Sequence, residues 1–207
     1  MKKLISLLLL ICFCFSFGQK KNLKTSNKIA EIKKFQQELN AEYKDPEKSP
    51  LTQEEIAQFK GHQFFPINLK YRVKAKFVRT PNQPSFEIPT SSGKTKTYEK
   101  YGELHFKIEN KNYQLSVYQN LVSRQTEEYK DYLFLPFLDL TNGVTSYGAG
   151  RYIDFRIPKS SEVVIDFNKA YNPFCAYSPN YNCPIVPMEN FLDTDIKAGV
   201  QYIKIKK

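Results

Sequence analysis

The stretch NLKYRVKAKFVR, residues 68–79, alternates Leu69, Tyr71, Val73, Ala75 and Phe77 with Lys70, Arg72, Lys74 and Lys76. A period of two puts the apolar side chains on one face of a pleated strand and the cations on the other. A helix would scatter the same residues around its circumference. The four cations therefore read as the solvated face of a half-buried strand rather than as a binding stripe.

The same period recurs downstream. Leu104, Phe106 and Ile108 alternate with Glu103, His105, Lys107 and Glu109; Asn110-Lys111-Asn112 predicts a turn; and Tyr113, Leu115 and Val117 return as a third strand. His105 falls on the polar face. Further strands are expected at Tyr132–Leu138, Arg151–Ile157, Glu162–Asn168 and about Asp195–Ile205, with Pro158-Lys159-Ser160-Ser161 joining two of them as a hairpin. The polar tract Thr80–Lys100 reads as a long loop, with strand at its edges at most.

Upstream the period is helical. Ile29, Ile32, Phe35, Leu39 and Tyr43 recur at three- and four-residue steps within residues 28–43. After Asp45-Pro46, Thr52 and Glu55 form a capping box ahead of a short helix over about Gln53–Phe59, followed by Gly61. The expected class is mainly β, an antiparallel β-sandwich or small barrel preceded by two N-terminal helices.

Residues 1–18, MKKLISLLLLICFCFSFG, place Lys2 and Lys3 before an apolar run ending in small residues, the pattern of a secretory signal peptide. The run is short for a membrane span, and no second apolar segment follows. The expected organisation is a signal peptide over 1–18, a helical leader over 19–60 and a single β domain over 61–207. The product is expected to be exported, periplasmic or extracellular. Lipidation at Cys12 or Cys14 is the lesser alternative, because Ile11 and Phe13 stand where a small residue belongs.

Removing Lys2 and Lys3 from 31 basic residues, against 21 acidic, leaves a charge of +8. The lysines are scattered and no nucleic-acid motif occurs, so a solvated basic surface is expected and no nucleic-acid partner. Cleavage also leaves two of the four cysteines, Cys175 and Cys183. In an oxidising compartment such a pair reads as a disulfide. Two thiolates with only His62 and His105 make a thin zinc set, so neither metal nor cofactor is expected. A redox pair is the sharper alternative, but the surrounding prolines prevent the helical CxxC geometry.

Chemistry could sit at two segments. In RYIDFRI, the phase of Ile153, Phe155 and Ile157 puts Arg151 on the apolar side, where a guanidinium needs a carboxylate, carbonyls or a bound anion. Just before it, DLTNGVTSYGAG holds Gly143, Gly148 and Gly150 beside Thr141, Thr145 and Tyr147, a loop able to cradle an anion or simply to turn the chain. Asp139, Asp154 and Asp166 are the structural partners open to Arg151. The second segment, DFNKAYNPFCAYSPNYNCP over 166–184, is a polar loop that a Cys175–Cys183 bridge would staple. Nucleophilic catalysis draws no support: no Gly-x-Ser-x-Gly occurs, and neither histidine lies in a recognisable motif.

These segments, in this order, resemble the bacterial and archaeal domain of unknown function 1684 over about residues 28–204. The resemblance is most specific at Asp166-Phe167-Asn168, Ala170-Tyr171-Asn172-Pro173, Cys175-Ala176, Cys183-Pro184 and Glu189-Asn190, and at Gly150-Arg151-Tyr152 preceded by Thr145 and Tyr147. His62 stands where the family often has Leu. The resemblance implies boundaries and no reaction, and its cytoplasmic-looking members keep a thiol or metal role for the cysteine pair open.

The function expected is a binding domain of the cell envelope with a polar pocket for a small anionic, sugar or nucleotide-like ligand. Its residues would be Thr145, Tyr147, Arg151, Tyr152, Asp166, Asn168, Tyr171, Asn172, Glu189 and Asn190. Two alternatives stand beside it: a hydrolase using Asp166 or Glu189 as base, and a structural envelope protein in which the polar cluster is a clasp.

Overall fold

The structure is a computed structural model and describes residues 24–202. The signal peptide expected over 1–18 lies outside the described residues. The chain forms two compact units, one ending at Leu39 and the other beginning at Asn40. The first is helical from residue 24, with an exposed Lys34–Glu38 pair one turn apart at 3.4 Å. This helix, α1, runs over 24–44. In the second unit α2 spans Gln53–Gln58, with both bonds of the Thr52/Glu55 capping box formed. No helix among the described residues is long and apolar enough to cross a membrane.

Eight strands follow among the described residues: β1 Arg72–Arg79, β2 Phe86–Pro89, β3 Thr95–Ile108, β4 Lys111–Asn120, β5 Tyr132–Asp139, β6 Arg151–Arg156, β7 Glu162–Asp166 and β8 Phe191–Leu192. They form a mainly antiparallel sheet, curled into a half-barrel, in the order β6-β5-β4-β3-β1-β7, with β2 beside β3 and β8 parallel to β5. β1 alternates as its sequence predicts, burying Val73 and Ala75 and exposing Lys74 and Lys76, but it begins at Arg72 because Leu69–Tyr71 is a 3-10 turn capped by Asn68.

β5 reads YLFLPFLD, a continuous apolar run, because both its faces are covered. Leu133, Leu135 and Phe137 enter the main core with Leu104, Phe106, Leu115 and Ile165. Phe134 enters a second, tyrosine-rich cluster with Tyr98, Tyr118 and Tyr152. β4 divides in the same way, Leu115 and Val117 to one side and Tyr118 to the other.

Four expectations are corrected. The turn lies at Glu109-Asn110, with Glu109 in the left-handed region at φ 54°, so Lys111 and Asn112 already belong to β4. The tract Thr80–Lys100 is not loop throughout, since β2 and the start of β3 pair within it from Phe86↔Tyr98 to Pro89↔Thr95. β6 and β7 are not a hairpin: β6 pairs with β5, β7 with β1, at opposite ends of the sheet. Residues 195–202 form no strand beyond the isolated bridge Phe64↔Val200; the expected remainder, 203–205, lies outside the described residues.

Candidate functional site

Arg151 opens β6 on the apolar phase and is 0% exposed. Its guanidinium donates through Nη2 to Asp139 Oδ2 at 2.7 Å, to the Ile196 carbonyl at 2.8 Å and to Thr141 Oγ1 at 3.4 Å, and through Nη1 to the Ala198 carbonyl. The rings of Phe137 and Phe65 lie 5.1 and 5.8 Å from the guanidinium carbon. Burial pulls its pKa down, and the Asp139 charge opposes that pull. Asp139 is equally enclosed: its Oδ1 accepts from the Thr141 amide at 2.8 Å, the Thr141 hydroxyl at 2.6 Å and the Ile196 amide at 3.2 Å. The glycine loop between them is closed on itself, with Asn142 bonded to the Asp139 amide, Ser146 Oγ and the Tyr147 carbonyl. Of the three acids open to Arg151, Asp139 takes it.

Asp166 is held instead by Arg72, Nη1 to Oδ2 at 2.7 Å, while its Oδ1 accepts from the Asn168 amide and side chain. Asn168 and Asn190 do the same thing in two places. Asn168 Oδ1 accepts from the Asn68 amide at 2.9 Å and its Nδ2 donates to the Asn68 carbonyl at 3.1 Å, so the side chain pairs like a peptide. Asn190 Oδ1 accepts from the Ser116 amide at 2.8 Å, and its Nδ2 donates to the carbonyls of Ser116 at 2.8 Å and Pro136 at 2.6 Å.

That insertion has a cause in β5. The β4–β5 ladder consists of Tyr118↔Phe134, and two positions further along the same antiparallel register Ser116 would face Pro136. Proline has no N–H to give the Ser116 carbonyl. The Asn190 amide supplies the missing donor between the two strands.

The remaining expected residues are also engaged. Tyr147 OH donates to the Cys175 carbonyl at 3.4 Å, and the Thr145 carbonyl accepts from the Tyr202 amide at 3.0 Å. Tyr152 exchanges both backbone bonds with Tyr171, and its hydroxyl donates to the Pro184 carbonyl. Tyr171 OH and Tyr132 OH both donate to Asp154 Oδ1, at 2.7 and 2.9 Å, and burial raises both phenol pKa values. Asn172 Nδ2 donates to Tyr177 OH at 3.0 Å, whereas its buried Oδ1 has no partner among the described residues. Glu189 accepts from Tyr118 OH and from Lys100 Nζ at 3.2 Å, and Lys100 also pairs with Glu103. Cys175 and Cys183 are bridged, with Cα atoms 6.2 Å apart. His62 sits among Tyr43, Phe59 and Tyr177 with its ring bonded to Asn40, and burial holds its pKa down at about 4.

The structure thus joins Arg151 to Asp139, Thr141 and the carbonyls of Ile196 and Ala198; Asp166 and Asn168 share a second network, and Asn190 and Glu189 make bonds of their own away from both. Sequence reasoning missed Arg72, Asn68 and Ser116. The available signal for Ser116 was the proline in its neighbouring strand. No group of three or more His, Cys, Asp or Glu side chains able to hold a metal comes together among the described residues. Two concavities open elsewhere: one of about 790 Å³ beside the β3–β4 turn and one of about 440 Å³ between the start of β3 and the start of β5.

No curated protein matches the chain. A solution NMR structure of an uncharacterized protein from Haloarcula marismortui is similar to it at 29% identity and a TM-score of 0.68, covering 88% of this chain and 98% of that one. Residues 57–201 match the family described as a protein of unknown function, DUF1684. With that match covering most of its length, the chain belongs to the DUF1684 family.

Proposed function

We propose that the protein is an exported, non-catalytic domain of the cell envelope, and that the polar constellation centred on Arg151 is a structural clasp. One observation carries this reading: the Arg151 side chain is wholly enclosed, and its bonds run to the protein's own Asp139 carboxylate and backbone carbonyls. An anion at Nη2 would have to displace Asp139, and Nε, which has no partner among the described residues, is enclosed with the rest of the side chain. The hydrolase alternative draws less support, because Asp166 is engaged by Arg72 and Asn168 and Glu189 by Tyr118 and Lys100, leaving neither carboxylate poised as a free base. Export rests on the charge and apolar pattern of residues 1–18.

Removing one partner of a buried ion pair strands the other, at roughly 3–5 kcal/mol. Arg151→Ala and Asp139→Ala are each expected to lower unfolding stability in urea by that amount. The double variant should lose much less than the sum. Near-wild-type stability of both single variants would sink the clasp, as would a sugar, nucleotide or phosphate that raises the melting temperature of the wild type but not of Arg151→Lys. For export, amino-terminal sequencing of protein from the envelope fraction should begin at Gln19; an intact Met1 in the cytosol would end that part of the proposal.

A further inference from the structure

The two concavities differ in how their lysines are balanced. Beside the β3–β4 turn, Lys70 pairs with Glu109 at 3.3 Å, Lys111 with Asp193 at 3.0 Å and Lys197 with Asp195 at 3.0 Å, so that surface neutralises itself. In the smaller groove Lys96 has no acidic partner among the described residues. It lies two residues before buried Tyr98 on β3, on the same face, so the strand aims it into the groove instead of out to solvent. It is half-buried there, and burial alone pushes its pKa down.

The walls are aromatic. Tyr98 and Phe134 lie with ring centres 5.8 Å apart, and Tyr129 meets Tyr132 edge to face at 5.7 Å. The Tyr132 hydroxyl is spent on Asp154, and burial pushes the Tyr98 phenol up to about 12, so the rings offer faces and edges rather than acid–base groups. The groove stands at the start of β5, at the other end of that eight-residue strand from Asp139 and the clasp.

We propose that this groove binds a small organic monoanion, a carboxylate carried on a planar, ring-shaped apolar body. A lone lysine is a point charge suited to a single carboxylate, whereas a phosphate dianion is usually met by a guanidinium fork or several donors. Tyrosine and phenylalanine rings provide stacking and edge contacts for a flat body. The volume, about 440 Å³, lies in the range of small-ligand sites.

Titration calorimetry of the full chain with 2-naphthoate, its neutral counterpart 2-naphthamide and inorganic phosphate tests the assignment. The wild type should bind 2-naphthoate at one saturable site, about tenfold more tightly than 2-naphthamide, and should not bind phosphate measurably. Lys96→Gln should weaken 2-naphthoate about tenfold and leave 2-naphthamide unchanged, while Tyr129→Ala should weaken both. Lys96→Met provides a second charge removal should Lys96→Gln fold poorly. Equal affinity for acid and amide, indifference to both Lys96 substitutions, phosphate binding as tight as 2-naphthoate, or no saturable binding would each overturn the proposal. None of these outcomes bears on the Arg151 stability measurements, so the two readings fail separately.

Discussion

At the scale of single residues, the asparagines of the carboxy-terminal motif are backbone substitutes. Asn190 satisfies three main-chain groups at once, and it is needed because Pro136 cannot donate. Asn190→Ala should therefore strand a buried amide and two carbonyls, at roughly 1–3 kcal/mol for each group left without water or a partner. Asn190→Asp should be worse, since it keeps the acceptor, replaces the donor by oxygen facing two carbonyls and adds a buried charge. Urea midpoints of the two variants decide this, and an aspartate tolerated at wild-type stability would refute the role. The sequence showed that Arg151 faces the apolar side and needs a partner, because strand phase is local. It could not show which of Asp139, Asp154 and Asp166 would answer, because that depends on which strands become neighbours.

Elements were legible where local pattern and environment agreed. β1, the second half of β3, most of β4 and the capped α2 follow from periodicity and turn chemistry, each a property of a dozen residues or fewer. Pairing was less legible. A short link between β6 and β7 suggested a hairpin, yet β7 is the far edge partner of β1. Ile196, Ala198 and Val200 alternate and are buried as a strand's would be, but their segment bonds to loops. The tract Thr80–Lys100 concealed a hairpin because its outer face is polar, and with it the groove around Lys96. The tip of that hairpin is knitted to the bridged loop: the Ser91 amide donates to the Cys183 carbonyl at 2.9 Å, the Ile185 amide to the Pro89 carbonyl at 2.8 Å, and Thr90 bridges Pro184. The Cys175–Cys183 bridge closes a short ring, eight positions apart, for which loop-closure entropy gives about 2–3 kcal/mol. Reduction, or Cys183→Ser, should lower stability by that amount and speed amide exchange at Ser91 and Ile185 ahead of the rest of the sheet. An unchanged midpoint and unchanged exchange would show that the hairpin, not the bridge, holds the loop.

For the β unit as a whole, the last described residues act as a lace. The Leu140 amide donates to Thr194, Phe65 to Gly199, Val200 to Ala170, Gln201 to Gln63 and Tyr202 to Thr145, so one segment ties three distant parts of the chain. Arg151 fastens the middle of that lace through the Ile196 and Ala198 carbonyls. The lace passes closest at Gly199, whose φ is +78° and where an added Cβ would come within 2.5 Å of the Ala170 carbonyl oxygen and 2.8 Å of that of Phe167. Both obstacles are backbone, so neither can swing aside. Gly143 has nearly the same φ, +77°, but open space around it. The pair separates strain of conformation from obstruction of closure. Gly143→Ala should cost only about 1 kcal/mol, the left-handed penalty for an L-residue. Gly199→Ala should cost at least about 3 kcal/mol beyond that, because it must push the lace off Ala170 and with it the carbonyls that receive Arg151. Equal urea midpoints for the two variants would mean that the lace yields without loss, and the clasp would then have no fixed segment to grip.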